Sequence, residues 1–412
     1  MALSLNSSPT VRGLVVLYTS TMLAGMWAMI VPAIPVLAVT FEISPGTAAQ
    51  IVTASGLGRF VGLPIAGAVL DRLGARWALI AGPALGCIAA LLAAAAPWFV
   101  TILALVFLIG VAESVWVLAR EMAGIDMARP DQRGRVLSGF HGVNYLGLAL
   151  GPLLGGILTE SVSFRAVFIV YALCAALSVV LGFSTASPPA SFSLPRSGRP
   201  QDSQRQTLSE RLYGWKDLFH QIHPELRSTY IVLVIATFTS ITHRVTTQSM
   251  LPLYATSRLG LTPKEVGFLF TISGLSVFAM ILPAGFVIDK VGRKWATVPS
   301  TGIPALAFLL IPLTDTFLQL AVLVSFLGIS NGLSLGSLAT STYDVVPASA
   351  RGRLQAARRT MAEVGGVSAP LLGGFWPTHS VPPCRFSPMP HSWCYQRFCW
   401  RWWAVRHYSA NL

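Results

Sequence analysis

Gly67 to Trp77 read GAVLDRLGARW, and Gly285 to Trp295 read GFVIDKVGRKW, 218 residues further on. In each, an apolar run ends in an acid, a base, a glycine and more bases. The match extends outward from both copies. Ser55-Gly56-Leu57 recurs as Ser273-Gly274-Leu275, and Phe60 as Phe278. Asp126 pairs with Asp344, and Gly134-Arg135 with Gly352-Arg353. Pro152-Leu153-Leu154-Gly155-Gly156 recurs as Pro370-Leu371-Leu372-Gly373-Gly374. A constant offset over this length means two copies of one structural unit.

The stretch reads as a helix–turn–helix at a membrane surface. Asp71 and Arg72 mark the end of the hydrocarbon, Gly74 supplies the turn, and Gly67 lets a neighbouring helix come close. Arg76 and Trp77 then fall at headgroup depth, which suits bases and indoles. The stretch resembles the signature between the second and third helices of the major facilitator superfamily, G-x3-D-[RK]-x-G-[RK]-[RK]. The second copy meets it at every position, and the first has Ala75 at the penultimate one.

The composition agrees with a membrane protein. Of 412 residues, 53% are hydrophobic and 11% charged, with mean hydropathy +0.64. Soluble chains carry roughly 25% charged residues. The net charge of +13 does not point to nucleic acid, because the bases fall between apolar segments. Cys87 and Cys174 stand alone in apolar spans, and no metal spacing or disulfide framework appears. No cofactor or metal is expected. No nucleophile–base pair or phosphate loop suggests an enzyme.

Eleven spans are expected, near 12–41, 48–70, 77–96, 99–128, 133–159, 164–183, 229–257, 263–288, 295–313, 317–346 and 353–376. Residues 1–183 form a first half and 228–376 a second. Between them, 184–227 holds four prolines before Gln201, then Ser, Gln and mixed charge, and is expected to be a linker without a core. The first span is too long for a signal-peptide core, and Pro32 and Pro35 should kink its outer part. No twelfth span follows Trp376. The segment 377–412 is rich in Pro, Trp, Cys, His and Arg, and reads as a shifted frame or alternative end, against an interfacial tail with Trp400, Trp402 and Trp403 at the headgroups. The loops on one side are basic, while the other side holds only Arg165, Arg258 and Lys264. The basic side, with the N-terminus, is therefore expected in the cytoplasm of a cell's plasma membrane.

A second resemblance lies at 147–156, GLALGPLLGG. It is similar to the fifth-helix signature G-x3-G-P-x2-G-G of the superfamily's drug:proton antiporters. That resemblance implies a gating hinge of Gly147, Gly151, Pro152, Gly155 and Gly156, against plain close packing. The later copy has Ala369 for the second glycine. The antiporter pattern also fails in places. Val106 stands where the group has a helix-4 arginine, Ile109 where it has a glutamine, and no charge precedes Glu42 in the first span.

Charges inside the spans are costly and become candidates. Arg59 lies roughly 18 Å beyond Asp71 and Glu113 roughly 20 Å beyond Asp126, at 1.5 Å per residue. The two share a level, so a pair between the second and fourth spans is a candidate for coupling or for structure alone. His243, Arg244, Asn331 and Glu363 are cavity candidates in the second half, with His243 ranked below the others because a lone His on an apolar helix is more often a satisfied core group. Trp27 is a cavity-lining candidate against plain packing, and Arg120 with Glu121 reads as structural. By resemblance, Gly67, Asp71, Arg72, Gly74, Arg76 and Asp126, with Gly285, Asp289, Lys290, Gly292, Arg293, Lys294 and Asp344, form a conformational gate. It would clamp the halves at the basic side beside Arg133, Arg135, Arg351 and Arg353.

The sequence thus gives an all-α polytopic fold of two six-helix pseudo-repeats, the last helix missing or replaced. The expected activity is proton-coupled export of small organic molecules by a monomer in a lipid bilayer, with no nucleic acid partner. The alternatives are sugar or organic-acid uptake, and a truncated, transport-inactive membrane protein.

Overall fold

The computed structural model describes residues 9–127, 133–184, 222–346, 354, 357–358 and 360–368. The bulk of the expected linker and the whole 377–412 segment lie outside them. The described residues are built of helices. They are α1 (Pro9–Gly25), α2 (Ile34–Thr40), α3 (Pro45–Ala95), α4 (Phe99–Met127), α5 (Arg133–Ser161), α6 (Phe164–Ser184), α7 (Pro224–Leu259), α8 (Pro263–Phe286), α9 (Arg293–Leu310) and α10 (Phe317–Val345). The described part of a further helix, α11, includes 360–368.

The kink in the first span lies deeper than its prolines suggest. A 3-10 stretch, Met26–Ala33, separates α1 from α2 and holds Pro32 inside it. The tighter winding coincides with a close approach of α5. A Cβ at Gly151 would touch Met26, and one at Gly155 would run into the Met29 carbonyl.

The two expected turns are real and differ from ordinary loops. α3 holds the second and third spans with one sharp break, at Gly74 (φ 79°, ψ 164°). The matching break, between a π turn at Val287–Val291 and α9, is at Gly292 (φ 122°, ψ 149°). Both conformations are open essentially to glycine alone. They fix the residue type at one end of each half, here called the basic end.

The repeat extends to packing. A Cβ on Gly110 of α4 would meet the Ser55 carbonyl of α3, and one on Gly328 of α10 would meet the Ser273 carbonyl of α8. Both pairs obey the 218-residue offset. Small residues at these crossings let backbones touch where no hydrophobic force between helices exists in lipid.

Nine segments among the described residues are long and apolar enough to cross a membrane. α7 is not one of them, although it runs 36 residues. It also starts and ends beyond the expected 229–257. Its middle carries His243, Arg244 and many hydroxyls. Thr237, Thr246, Thr247 and Ser249 donate back to carbonyls one turn earlier. Such self-satisfied hydroxyls lower hydropathy without leaving polar groups bare. By contrast Leu173, Leu177 and Val180 of α6 stand exposed in one stripe, as a lipid-facing surface requires.

The halves meet along α5 and α8. Gly156 faces Pro263 and Lys264, Gly267 faces Pro152, and Gly274 faces Ala149. Thr271 Oγ1 donates to the Ala149 carbonyl at 2.8 Å, and the Lys264 amide donates to Glu160 at 3.1 Å. Near the far end, Val31 is buried in the second-half core, and Leu253 packs on the first-half core. Nearer the basic end Gly142 of α5 still faces Ile281 of α8, while an added Cβ at Gly67 or Gly285 would meet nothing within 4 Å among the described residues.

Candidate functional site

Two polar clusters share one depth. Arg59 and Glu113 each lie fourteen residues into their helices from the far end, Asn331 fourteen and Arg244 fifteen. At 1.5 Å per residue that is about 21 Å down from the far end for each.

In the first half the pair expected from counting residues is closed. Arg59 Nη1 reaches Glu113 Oε2 at 3.2 Å, with Glu113 8% and Arg59 33% exposed. α3 and α4 come this close because Gly58, Gly62 and Gly110 line their crossing. Ser114 Oγ donates to the Arg59 carbonyl at 2.7 Å and locks the register. The guanidinium also lies 4.6 Å over the Trp27 ring from the first span. Trp27, weighed from sequence between lining a cavity and packing, is thus a third member of the cluster. A cation with both a carboxylate and an indole face can leave one for the other as helices move.

The second half builds its cluster differently. Arg244 Nε donates to Asn331 Oδ1 at 3.1 Å, and its Nη2 to Ser334 Oγ at 2.9 Å. His243 Nε2 lies 3.0 Å from the same Asn331 oxygen, and its Nδ1 3.1 Å from the Thr239 carbonyl. A ring with one proton donates to one of these oxygens and leaves the other facing a lone pair. His243 is therefore a buried ring with a polar neighbour at each nitrogen, and it belongs to the cluster. Its neighbour Arg244 was the signal in the sequence. Val245, next in the chain, packs on the first-half core. The cluster therefore sits where the halves meet.

The offset relates the two clusters. Asn331 stands 218 residues after Glu113, at the same place in its half. The first half neutralises its arginine with a carboxylate there, and the second holds its arginine with an amide. No carboxylate among the described residues lies within 4 Å of Arg244. A charge left so at bilayer depth costs roughly 2.5–3.5 kcal/mol on insertion scales.

Glu363 is half-buried on α11, outside both clusters. Arg358 of the same helix is buried and donates to Thr237 of α7. Arg120 is buried as well, 5.9 Å over Trp116, and its Nη1 has no hydrogen-bond partner.

The small residues of the proposed hinge serve two neighbours. Gly147, Gly151 and Gly155 admit the first span, while Gly156 admits the start of α8. The gate set lies at the basic end and is described only in part. Asp71, Arg72, Arg76, Lys290 and Lys294 are exposed. The side chains of Asp126, Asp289, Arg293 and Asp344 lie outside the described residues. Beside Gly67 an added Cβ would meet nothing within 4 Å among the described residues, so the close approach expected there is not seen among them.

Comparison with known proteins follows the same lines. The family model for the Major Facilitator Superfamily matches residues 16–232 and 233–382. The chain is similar to Multidrug resistance protein 2 of Bacillus subtilis (strain 168), 21% identical over 361 residues, covering 84% of each chain. It is similar to Multidrug resistance protein MdtG of Proteus mirabilis (strain HI4320), 25% identical over 238 residues, 56% of this chain and 54% of that one. Among solved structures it resembles a D-xylose-proton symporter (TM-score 0.68, 16% identity, 89% of this chain and 90% of that one). It also resembles the peptide transporter POT in complex with alafosfalin (TM-score 0.73, 17% identity, 89% and 88%). At these identities the structures bear on the fold alone.

Proposed function

Because the chain belongs to the major facilitator superfamily, a family of transporters built into membranes, we propose that it exports small organic molecules in exchange for protons. The observation that carries this reading is the Arg59–Glu113 pair, closed at mid-depth between two spans and shared with Trp27. The multidrug-named relatives support the export direction. Glu113 is the group that takes and releases the proton. Arg59 is its partner while the pair is closed, so exchange of the proton goes with opening of the pair and movement of α3 against α4. Substrate binds between the halves at the level of the two clusters, and rocking of the halves exposes it to each side in turn. Everted membrane vesicles loaded by respiration test this reading. Export of a fluorescent organic dye into them should stop when an uncoupler collapses the proton gradient. Undiminished export would remove the proton from the reading.

We further propose that residues 1–183 and 228–376 are the moving halves, that 184–227 links them, and that the basic end faces the cytoplasm. The contacts at the far end and the open space at Gly67 and Gly285 then correspond to an inward-open state. Single cysteines placed in 190–215 should react with an impermeant maleimide only in everted vesicles. Reaction in intact cells would reverse the orientation.

The gate residues act in the opposite state, when Gly67 and Gly285 meet their partners. Asp71→Asn is expected to lower turnover strongly while leaving substrate affinity near wild type, because it shifts an equilibrium between states. Competition binding beside initial-rate transport separates the two. Weakened binding at unchanged turnover would make Asp71 a substrate ligand.

A further inference from the structure

We propose that Arg244, held by Asn331 and Ser334, is an anion-receiving site, and that the substrates include small organic acids carried as carboxylate or sulfonate anions. The inference rests on the transporter reading for its use, though not for the binding step itself.

Three observations carry it. First, the guanidinium is fixed by neutral acceptors. Asn331 Oδ1 takes the Nε proton and Ser334 Oγ takes one from Nη2, leaving the Nη1 edge for a further acceptor. A guanidinium with one edge anchored and the other free has the fork geometry that binds carboxylate or sulfonate oxygens in parallel. Second, the symmetry of the chain supplies an internal control. Glu113 neutralises Arg59 in the first half. The residue 218 positions later is the amide Asn331, so the second half lacks that counter-charge. Helices packed on α7 do not replace it. α8 has no acid after Glu265, and α10 has none before Asp344. Glu363 of α11 makes no ion pair with Arg244 among the described residues. Third, Arg244 is half-buried beside Val245, which packs on the other half. Arg244 thus lies next in the chain to a residue at the contact between halves, at the depth of the first cluster.

The contrast between clusters gives the substrate a polarity. Its acidic group meets Arg244, and its apolar body lies toward Trp27 and the Arg59–Glu113 pair. His243 acts as a positioning residue, since it shares the Asn331 oxygen and keeps the amide turned toward Arg244.

The test uses the full chain in lipid nanodiscs. Equilibrium dialysis with radiolabelled benzoate and naphthalene-2-sulfonate is compared with benzamide and benzylammonium, which keep the ring but not the negative charge. Both anions should bind and both controls should not. Arg244→Gln should weaken anion binding about tenfold or more, the loss of one charged hydrogen-bonded contact. Arg244→Lys should retain part of it. Asn331→Glu is the decisive variant. It installs the missing counter-ion while keeping an acceptor for the Arg244 Nε proton, and should abolish anion binding with an unchanged unfolding midpoint. Anion binding that survives Asn331→Glu and Arg244→Gln would overturn the proposal, as would equal binding of benzoate and benzamide, or no binding of either anion. Dye export by the same preparation is scored separately. Export without anion binding leaves the transporter reading standing and sinks this site. Anion binding lost in Arg244→Gln, without export, does the reverse.

Discussion

Glu113→Gln is expected to abolish export driven by a proton gradient while leaving energy-independent exchange of substrate across the membrane. The side chain is buried, and Arg59 is its partner at 3.2 Å. A glutamine keeps the shape and one hydrogen-bond acceptor but cannot lose a proton, so the group that links proton movement to opening of the α3–α4 pair is gone. Exchange needs only the rocking of the halves and should survive. Folding is the competing explanation for any loss. Removing one partner of a buried pair costs roughly 3–5 kcal/mol, and the lower part of that range applies because Arg59 is partly exposed. The unfolding midpoint and exchange rate therefore need to be measured together with driven export. A Glu113→Gln protein that still exports against a gradient would make the pair structural. Arg59→Lys is a useful companion, since it keeps the charge but loses the stacking on Trp27.

Gly156→Ala is expected to have the largest effect on conformation. The added methyl would collide with the Pro263 and Lys264 backbone at the start of α8. The obstacle is main chain, so no side-chain rotation relieves it. Overpacking of this kind costs roughly 1–3 kcal/mol. It falls on a contact between the halves, α5 against α8, that exists while the far end is closed. The expected outcome is a shift toward the state open at the far end, with transport lowered at least tenfold for about 1.4 kcal/mol of bias. Accessibility of a cysteine at Val162, near the far end of α5, reads the shift directly. Gly86→Ala is the control, because its nearest neighbour would be the Ala112 methyl at ordinary contact distance. If both variants behave like wild type, the small residues of α5 serve packing alone.

The parts of this fold visible in the sequence are those governed by local chemistry or by repetition. Gly74 and Gly292 announce their turns because only glycine takes up those backbone angles, and they lie 218 residues apart. Arg59 and Glu113 could be matched by counting residues, since depth along a helix is simple arithmetic. The second cluster was harder to see. Its partners come from α7 and α10, 87 residues apart in sequence. The arginine's bond to Asn331 depends on how those helices cross. The offset from Glu113 to Asn331 was nevertheless there to be read. α7 shows a different limit, because its run of Ser and Thr beside a charge weakens the hydropathy that marks its neighbours. Which end of the molecule stands open was not legible at all. One sequence must encode both states, so the residues at Gly67 and Gly285 cannot tell which one is populated.

The central claim is that two halves rock about clusters at mid-depth, opening one end as the other closes. Distances between paired spin labels in nanodiscs test it most directly, with one pair at the far end (Val162 and Arg258) and one at the basic end (Ala68 and Phe286). All four side chains are exposed, so labels should not disturb packing. The account predicts that acidification or added substrate lengthens one distance while shortening the other, and that Gly156→Ala biases the pair toward a long far-end and short basic-end distance. Distances that stay fixed, or that lengthen and shorten together, would contradict it.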